Sequence, residues 1–252
     1  MAESKNALVT GAAKRLGRAI ALDLARRGWN VAIHHNTSER EARVTCEDAR
    51  AAGVKAAPVK GDLAREAETE TLIERAAAEL GPLTALINSA SVFENDRWYS
   101  ADRASWDRHM DVNLRAPFVL AQQFAKQLPR EAHGCVVNLL DQRLFKPAPD
   151  FLSYGVSRAG LHWLTVTLAQ ALAPRIRVNA VAPGPTLKAA QQSAGHFDRE
   201  RGATILGHGS EPQDICDAVR YLLDARAVTG QTVVVDGGQH LIWKLADAAE
   251  SS

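Results

Sequence analysis

The sequence predicts an α/β protein: one doubly wound domain over residues 1–252, with a seven-stranded parallel sheet flanked by helices on both faces. Three observations carry that expectation. Short, continuous apolar runs recur along the chain, each is followed by a stretch of helical periodicity, and the first ends in a glycine-containing turn that opens a helix. Strands that are apolar throughout, rather than on alternate residues, belong to a sheet covered on both sides, and parallel sheets are of that kind. No linker, low-complexity tract or internal repeat divides the chain.

Taken in order, Asn6–Thr10 is the first apolar run, and helical periodicity extends from Arg15 to about Arg27. Gly28-Trp29-Asn30 stops that helix, and Val31–His34 reads as a second buried strand, which completes a βαβ unit. Further strands are expected at Lys55–Val59, Leu83–Asn88, Gly134–Leu140, Ile176–Val181 and Thr232–Val235. Thr186–Pro212 is polar, poor in strand signals and carries Gly195, Gly202, Gly207 and Gly209, the composition of a substrate loop or helical lid. Beyond Gly238, the apolar Leu241-Ile242-Trp243 is expected to pack on a neighbouring subunit and the last residues to fray.

Composition narrows the class. Hydrophobic and charged shares of 46% and 23% are those of an ordinary globular protein. A net charge of +1, with no basic run, gives no sign of nucleic-acid binding. Cys46, Cys135 and Cys216 are scattered, suit a reducing compartment and form no metal-spaced set, so no metal is expected. With no apolar run of membrane-spanning length and no secretory pattern in the opening residues, a cytoplasmic protein without membrane association is expected.

Thr10-Gly11-Ala12-Ala13-Lys14-Arg15-Leu16-Gly17 lies between a strand and a helix, the context in which a glycine turn binds a dinucleotide. Gly11 permits the tight turn and Gly17 the close approach of helix and sheet. The helix N-terminus then offers unpaired N–H groups to a pyrophosphate. An NAD-selecting site would place an acid at the end of the second strand. Here His34-His35-Asn36-Thr37-Ser38 stands instead, with no acid before Glu39. Thr37 and Ser38 can donate hydrogen bonds and Lys14 and Arg15 supply positive charge, a set that suits a 2′-phosphate and hence NADPH; the alternative is that His34 and His35 are plain loop histidines. Asp62 is placed to hold the adenine amino group.

In Ser153-Tyr154-Gly155-Val156-Ser157-Arg158, Tyr154 and Arg158 fall one helical turn apart on one face. A fixed cation beside a phenol favours phenolate and is expected to lower the tyrosine pKa, as suits a proton donor.

From about Asn6 to Gly238 the chain resembles the short-chain dehydrogenase/reductase family, whose fold is Rossmann-type. The resemblance rests on the Thr10–Gly17 turn, Asp62-Leu63, Asn88-Ser89-Ala90 and Asn113 in Val112-Asn113-Leu114. It continues through the Tyr154 segment, Arg177-Val178-Asn179 leading to Pro183-Gly184, and Val235-Asp236-Gly237-Gly238. Within that family it is similar to the pteridine reductase and dihydromonapterin reductase branch, through the turn, the polar set after strand two, Ser91 with Phe93, and Asp141 thirteen residues before Tyr154. The resemblance implies hydride transfer from NADPH to a small, pterin-like molecule, with Tyr154 and Asp141 supplying a proton. It also implies that Phe93 stacks on the pterin, that Ser91 touches cofactor phosphate or pterin, and that Asn113 organises a proton-relaying water. A homotetramer, built through helices within Ala101–Gln127 and Ser153–Ala173, is implied as well. Three positions depart from the family's usual pattern: Asp141 stands where most members have a serine, Ser89 replaces an asparagine, and, most consequentially, Arg158 replaces the lysine. Arginine can bond ribose as a permanent cation but cannot release a proton, so the expected loss is in turnover more than in cofactor binding. A carbonyl or 3-oxoacyl reductase, with Ser153 beside the tyrosine, and a cofactor-binding protein with little catalysis are the alternatives.

Overall fold

The apolar strands form because both their faces are covered. In β1 (Asn6–Val9), Ala7 and Val9 point into one helical layer and Leu8 into the other, all three fully buried. The same alternation recurs in β2 (Asn30–His35), where Val31 and Ile33 oppose Ala32, and in β4 (Ala85–Asn88), where Ala85 and Ile87 oppose Leu86. The computed structural model describes residues 5–188 and 193–243. The expected fraying of the last residues, and part of the 186–212 segment, lie outside them.

With β3 (Ala56–Lys60), β5 (Gly134–Leu139), β6 (Ile176–Pro183) and β7 (Thr232–Val235), the strands make one parallel sheet of seven in the order β3-β2-β1-β4-β5-β6-β7. On one face pack α1 (Arg15–Arg26), α2 (Glu39–Ala51) and α9 (Pro212–Asp224), burying Ile20, Leu24, Cys46 and Ile215. On the other lie α4 (Leu72–Leu80), α6 (Ala116–Gln127) and α7 (Leu152–Leu172), contributing Leu72, Ile73, Leu120 and Phe124. Short α3 (Glu66–Glu70) precedes α4, α5 (Arg103–Met110) precedes α6, and α8 (Ala194–Gly202) occupies the segment read as a loop or lid.

The strands fall within two residues of their expected bounds. The stretch expected as helix over Ala101–Gln127 starts at Arg103, capped by Asp102 accepting from Ser105 N at 2.8 Å, and is interrupted by a wide π-helical turn at Asp111–Arg115. Among the described residues no helix is long and apolar enough to cross a membrane.

Candidate active site

In this sheet the strand order reverses between β1 and β4, and ligands of open α/β sheets bind outside the carboxyl ends at such a switch point. Gly11 follows β1 with φ of 65°, and a Cβ there would lie 2.9 Å from Ala90 Cα. A Cβ on Gly17 would lie 2.4 Å from Gly11 O, so turn and helix touch through backbone. Thr10 Oγ1 accepts from Ser89 N at 2.9 Å and Ala90 N at 3.0 Å, fixing the segment after β4 to the turn. Arg15 also has a positive φ, 55°, unusual for a side-chain-bearing residue. Its guanidinium spans to the segment after β6, donating to Leu187 O at 3.2 Å and Lys188 O at 3.0 Å. Leu16 packs against the α1-side core.

Neither histidine after β1–α1 is a loop residue: His34 and His35 both belong to β2 and are buried. His35, expected to contact cofactor, keeps its ring inside with Nδ1 unpartnered, and burial lowers its pKa. Asn36 and Thr37 are exposed beyond it, and Ser38 precedes α2. Lys14 and Arg15 line a recess together with Arg18 and Arg40, two cations that the sequence reading missed. Arg18, on α1, sits one position past the turn and Arg40, on α2, two past Ser38, and only the helix packing brings them in. Asp62 caps its own turn, accepting from Ala64 N at 3.1 Å, while Leu63 is buried in the core on the α4 side.

At the other end of the cleft, Tyr154 Oη donates to Asp141 Oδ2 at 2.8 Å. Asp141 stands at the end of β5 with Oδ1 accepting from Arg143 N at 2.8 Å. Arg158 lies one turn below the phenol: its guanidinium carbon is 5.1 Å from the Tyr154 ring, Nη1 donates to Leu139 O at 3.1 Å, and its buried Nε has no partner. Arg158 pulls the tyrosine pKa down, as the sequence led us to expect, but the net shift is upward. Burial of the phenol and the neighbouring Asp141 carboxylate push it well above the ordinary range and outweigh the cation. Burial likewise raises Asp141. The phenol therefore keeps its proton, which it shares with the Asp141 carboxylate through the 2.8 Å hydrogen bond.

Phe93, 38% exposed, stands over this pair, edge-on to Tyr154 at 4.8 Å and stacked on Phe151 at 4.3 Å. The exposed Ser91 turns its hydroxyl to Val92 O at 3.1 Å. Asn113 sits in the π turn, and its amide is spent on protein partners: Val92 N and O at 2.8 and 2.9 Å and Ser157 Oγ at 3.2 Å. These bonds pin the Ser91–Phe93 segment to α7. Asn88 donates to Asn138 Oδ1 at 2.8 Å and leaves Oδ1 buried without a partner. Pro183 and Gly184 end β6 against Asp236, where a Cβ on Gly184 would come within 2.5 Å.

Ser153 does not join this group. Fully buried, it donates to Asp96 Oδ2, meets His109 Nδ1 at 2.7 Å, and gives its backbone N–H to Asp96 Oδ1 at 3.0 Å. Ser105 Oγ also donates to Asp96 at 2.8 Å. Burial works against that carboxylate, but these hydrogen bonds outweigh it and hold its pKa down. Asp96 therefore caps α7 from a distant loop and fixes the segment bearing Phe93. Among the described residues no cluster of His, Cys, Asp and Glu side chains is placed to hold a metal ion.

This constellation on a seven-stranded parallel sheet defines a class. The chain belongs to the short-chain dehydrogenase/reductase family, and residues 11–240 match the member family described as enoyl-(acyl carrier protein) reductase. Among solved structures it is similar to FolM alternative dihydrofolate reductase 1 from Brucella suis in complex with NADP, at 43% identity and a TM-score of 0.94, covering 98% of this chain and 99% of that one. The Brucella canis counterpart, also complexed with NADP, matches at 43% identity and a TM-score of 0.91 over 97% and 98% of the two chains. Among curated proteins, the 3-oxoacyl-[acyl-carrier-protein] reductase FabG of Staphylococcus epidermidis is 32% identical, over 94% of this chain and all of its own length.

Proposed function

We propose that the protein is an NADPH-dependent reductase of pteridine-type molecules, with Tyr154 as proton donor and Asp141 in place of the family's serine. The observation that carries the reading is the 2.8 Å hydrogen bond from Tyr154 Oη to Asp141 under the exposed face of Phe93. Similarity to two NADP-bound dihydrofolate reductases of the FolM type supports it.

The chain's residues fit such a dinucleotide. Gly11 and Gly17 leave no space for side chains where backbone must approach phosphate, and Lys14, Arg15, Arg18 and Arg40 surround one recess. In this reading Gly11, Leu16 and Gly17 border the pyrophosphate. The cations, with Asn36, Thr37 and Ser38, face the 2′-phosphate; His35 supports them from inside. Asp62 and Leu63 border the adenine, Asn88, Ser89, Ala90, Pro183 and Gly184 the nicotinamide side, and Arg158 with Tyr154 the ribose. The bound cofactor supplies the hydride. Reduction of a ring C=N bond then leaves a nitrogen that needs one proton. Tyr154 delivers it, and Asp141, which accepts from the phenol, keeps it oriented. Phe93 offers a face for a flat heteroaromatic ring.

A homotetramer belongs to the same proposal. Val156 and Trp163 are 43% and 71% exposed on α7, and Trp243 is 82% exposed near the C-terminus, apolar surface of the kind subunits cover. A carbonyl or 3-oxoacyl reductase is the second reading, favoured by the FabG relatives. It has lost one support, because Ser153 is bound to Asp96 and His109. The deciding experiment assays dihydropterins, oxidised pterins, dihydrofolate and 3-oxo compounds with NADPH and NADH. Faster turnover of pteridines with NADPH is expected. Reduction of ketones alone would refute the pteridine reading, and cofactor binding without turnover of any of them would mark a protein that Arg158 has disabled.

A further inference from the structure

The glycine turn does not hold its shape unaided. His34 takes both of its first amides: Gly11 N–H donates to the ring Nδ1 at 3.0 Å, and Ala12 N–H to the His34 backbone oxygen at 3.0 Å. The other ring nitrogen, Nε2, meets Gly61 O, at the end of β3, at 3.0 Å. Only 2% of the residue is exposed. A ring that accepts at Nδ1 and donates at Nε2 has one protonation state open to it, neutral with the proton on Nε2. Burial holds it there, lowering its pKa to about 4, with His35 and Arg75 acting in the same direction and Gly61 and Asp62 opposing.

We propose that His34 is a positioning residue for the dinucleotide, a neutral imidazole tether between the phosphate-binding turn and the segment that borders the adenine. By taking the Gly11 N–H inward, it leaves the first-turn amides of α1 as the donors that face the cleft. By bridging to Gly61 it fixes the distance between residues 11–17 and 61–63, the two ends between which an adenosine diphosphate would lie. The proposal rests on the NADPH reading above.

Asparagine and glutamine separate the tether's two ends, since an Asn amide can reach the place of Nδ1 and a Gln amide that of Nε2. His34→Asn keeps an acceptor for Gly11, and His34→Gln keeps the bond to Gly61 but leaves the Gly11 N–H unpaired. NADPH affinity, measured by fluorescence titration of the full chain, is expected to fall about tenfold or more in His34→Gln, some 1.4 kcal/mol. His34→Asn gives up the bond to Gly61 and is expected to lose affinity as well, by about threefold or more, and thermal melts should drop in both. An affinity unaltered in either variant would overturn the proposal. Should His34→Gln fail to fold, the imidazole ¹⁵N shifts of the wild type decide: a protonated Nε2 and bare Nδ1 are expected, and the opposite tautomer would refute the tether. A wild type that binds neither NADPH nor NADH would instead count against the cofactor reading.

Discussion

Replacing Asp141 with serine restores the residue usual in the family and tests the site's chemistry most directly. The change deletes the carboxylate that accepts from Tyr154 Oη at 2.8 Å. A hydrogen bond to a charged group is worth about 1.5–3 kcal/mol, which corresponds to a factor of roughly 10 to 150 in rate if it is expressed in the transition state. A second effect has a defined sign. Burial and the Asp141 charge together raise the Tyr154 pKa, so removing the charge lowers it while burial remains. A phenol that works as an acid stops donating as pH rises through its pKa, so the alkaline limb of kcat/KM must move to lower pH in the variant. The assay is kcat/KM against pH for a dihydropterin and for a 3-oxo compound, wild type beside Asp141→Ser. We expect pterin turnover at neutral pH to fall by that factor, ketone turnover to fall less or rise, and NADPH affinity to hold. An alkaline limb that stays in place, or equal losses on both substrates, would refute the reasoning.

Four further outcomes are expected. Gly17→Ala puts a methyl 2.4 Å from Gly11 O and should cost about 1–3 kcal/mol or more in urea unfolding, with NADPH affinity falling in parallel. At position 15, where φ is 55°, alanine should be less stable than glycine by about 1 kcal/mol, the reverse of the usual helix ranking; equal melts would contradict that conformation. Asp96→Asn should destabilise by about 1–3 kcal/mol at neutral pH. Because the folded pKa of Asp96 is depressed, its contribution is present above the unfolded value of about 3.9 and lost as pH falls through the folded one. The gap between Asp96→Asn and wild type should close there. Arg158→Lys should raise turnover about tenfold, or ~1.4 kcal/mol of barrier, if a releasable proton is what the arginine lacks; an unchanged rate would show that proton release at this position does not limit turnover.

What could be read from the chain was whatever depends on local order. Apolar runs marked all seven strands, because a strand covered on both faces has no polar side to interrupt it. The spacing from Asp141 to Tyr154 survives folding as a direct contact, with Asp141 just past the end of β5 and Tyr154 in the first turn of α7. Features decided by distant residues stayed hidden. Ser153 stands beside Tyr154 in sequence, yet Asp96, 57 positions away, draws it elsewhere. The sign of the Tyr154 shift depends on burial, which the i,i+4 spacing of Arg158 does not report. His34 could be placed at the end of the second strand, but its two ring partners, just past the ends of β1 and β3, were not visible. Arg40 lies outside any turn motif and gains meaning only when α2 is laid beside α1.

The π turn at Asp111–Arg115 gives the long α5–α6 stretch two rotational phases. Before it, His109 points into the loop that carries Phe93; after it, Leu120 and Phe124 point into the sheet. An α-helix advances about 100° per residue, so deleting one position here would straighten the helix and swing one of those faces off its target. Asn113 would lose its grip on Val92 in the same motion. In this stretch the number of residues is constrained as tightly as their identity, and a length change in the middle of a helix would register at Phe93 and hence at the mouth of the cleft.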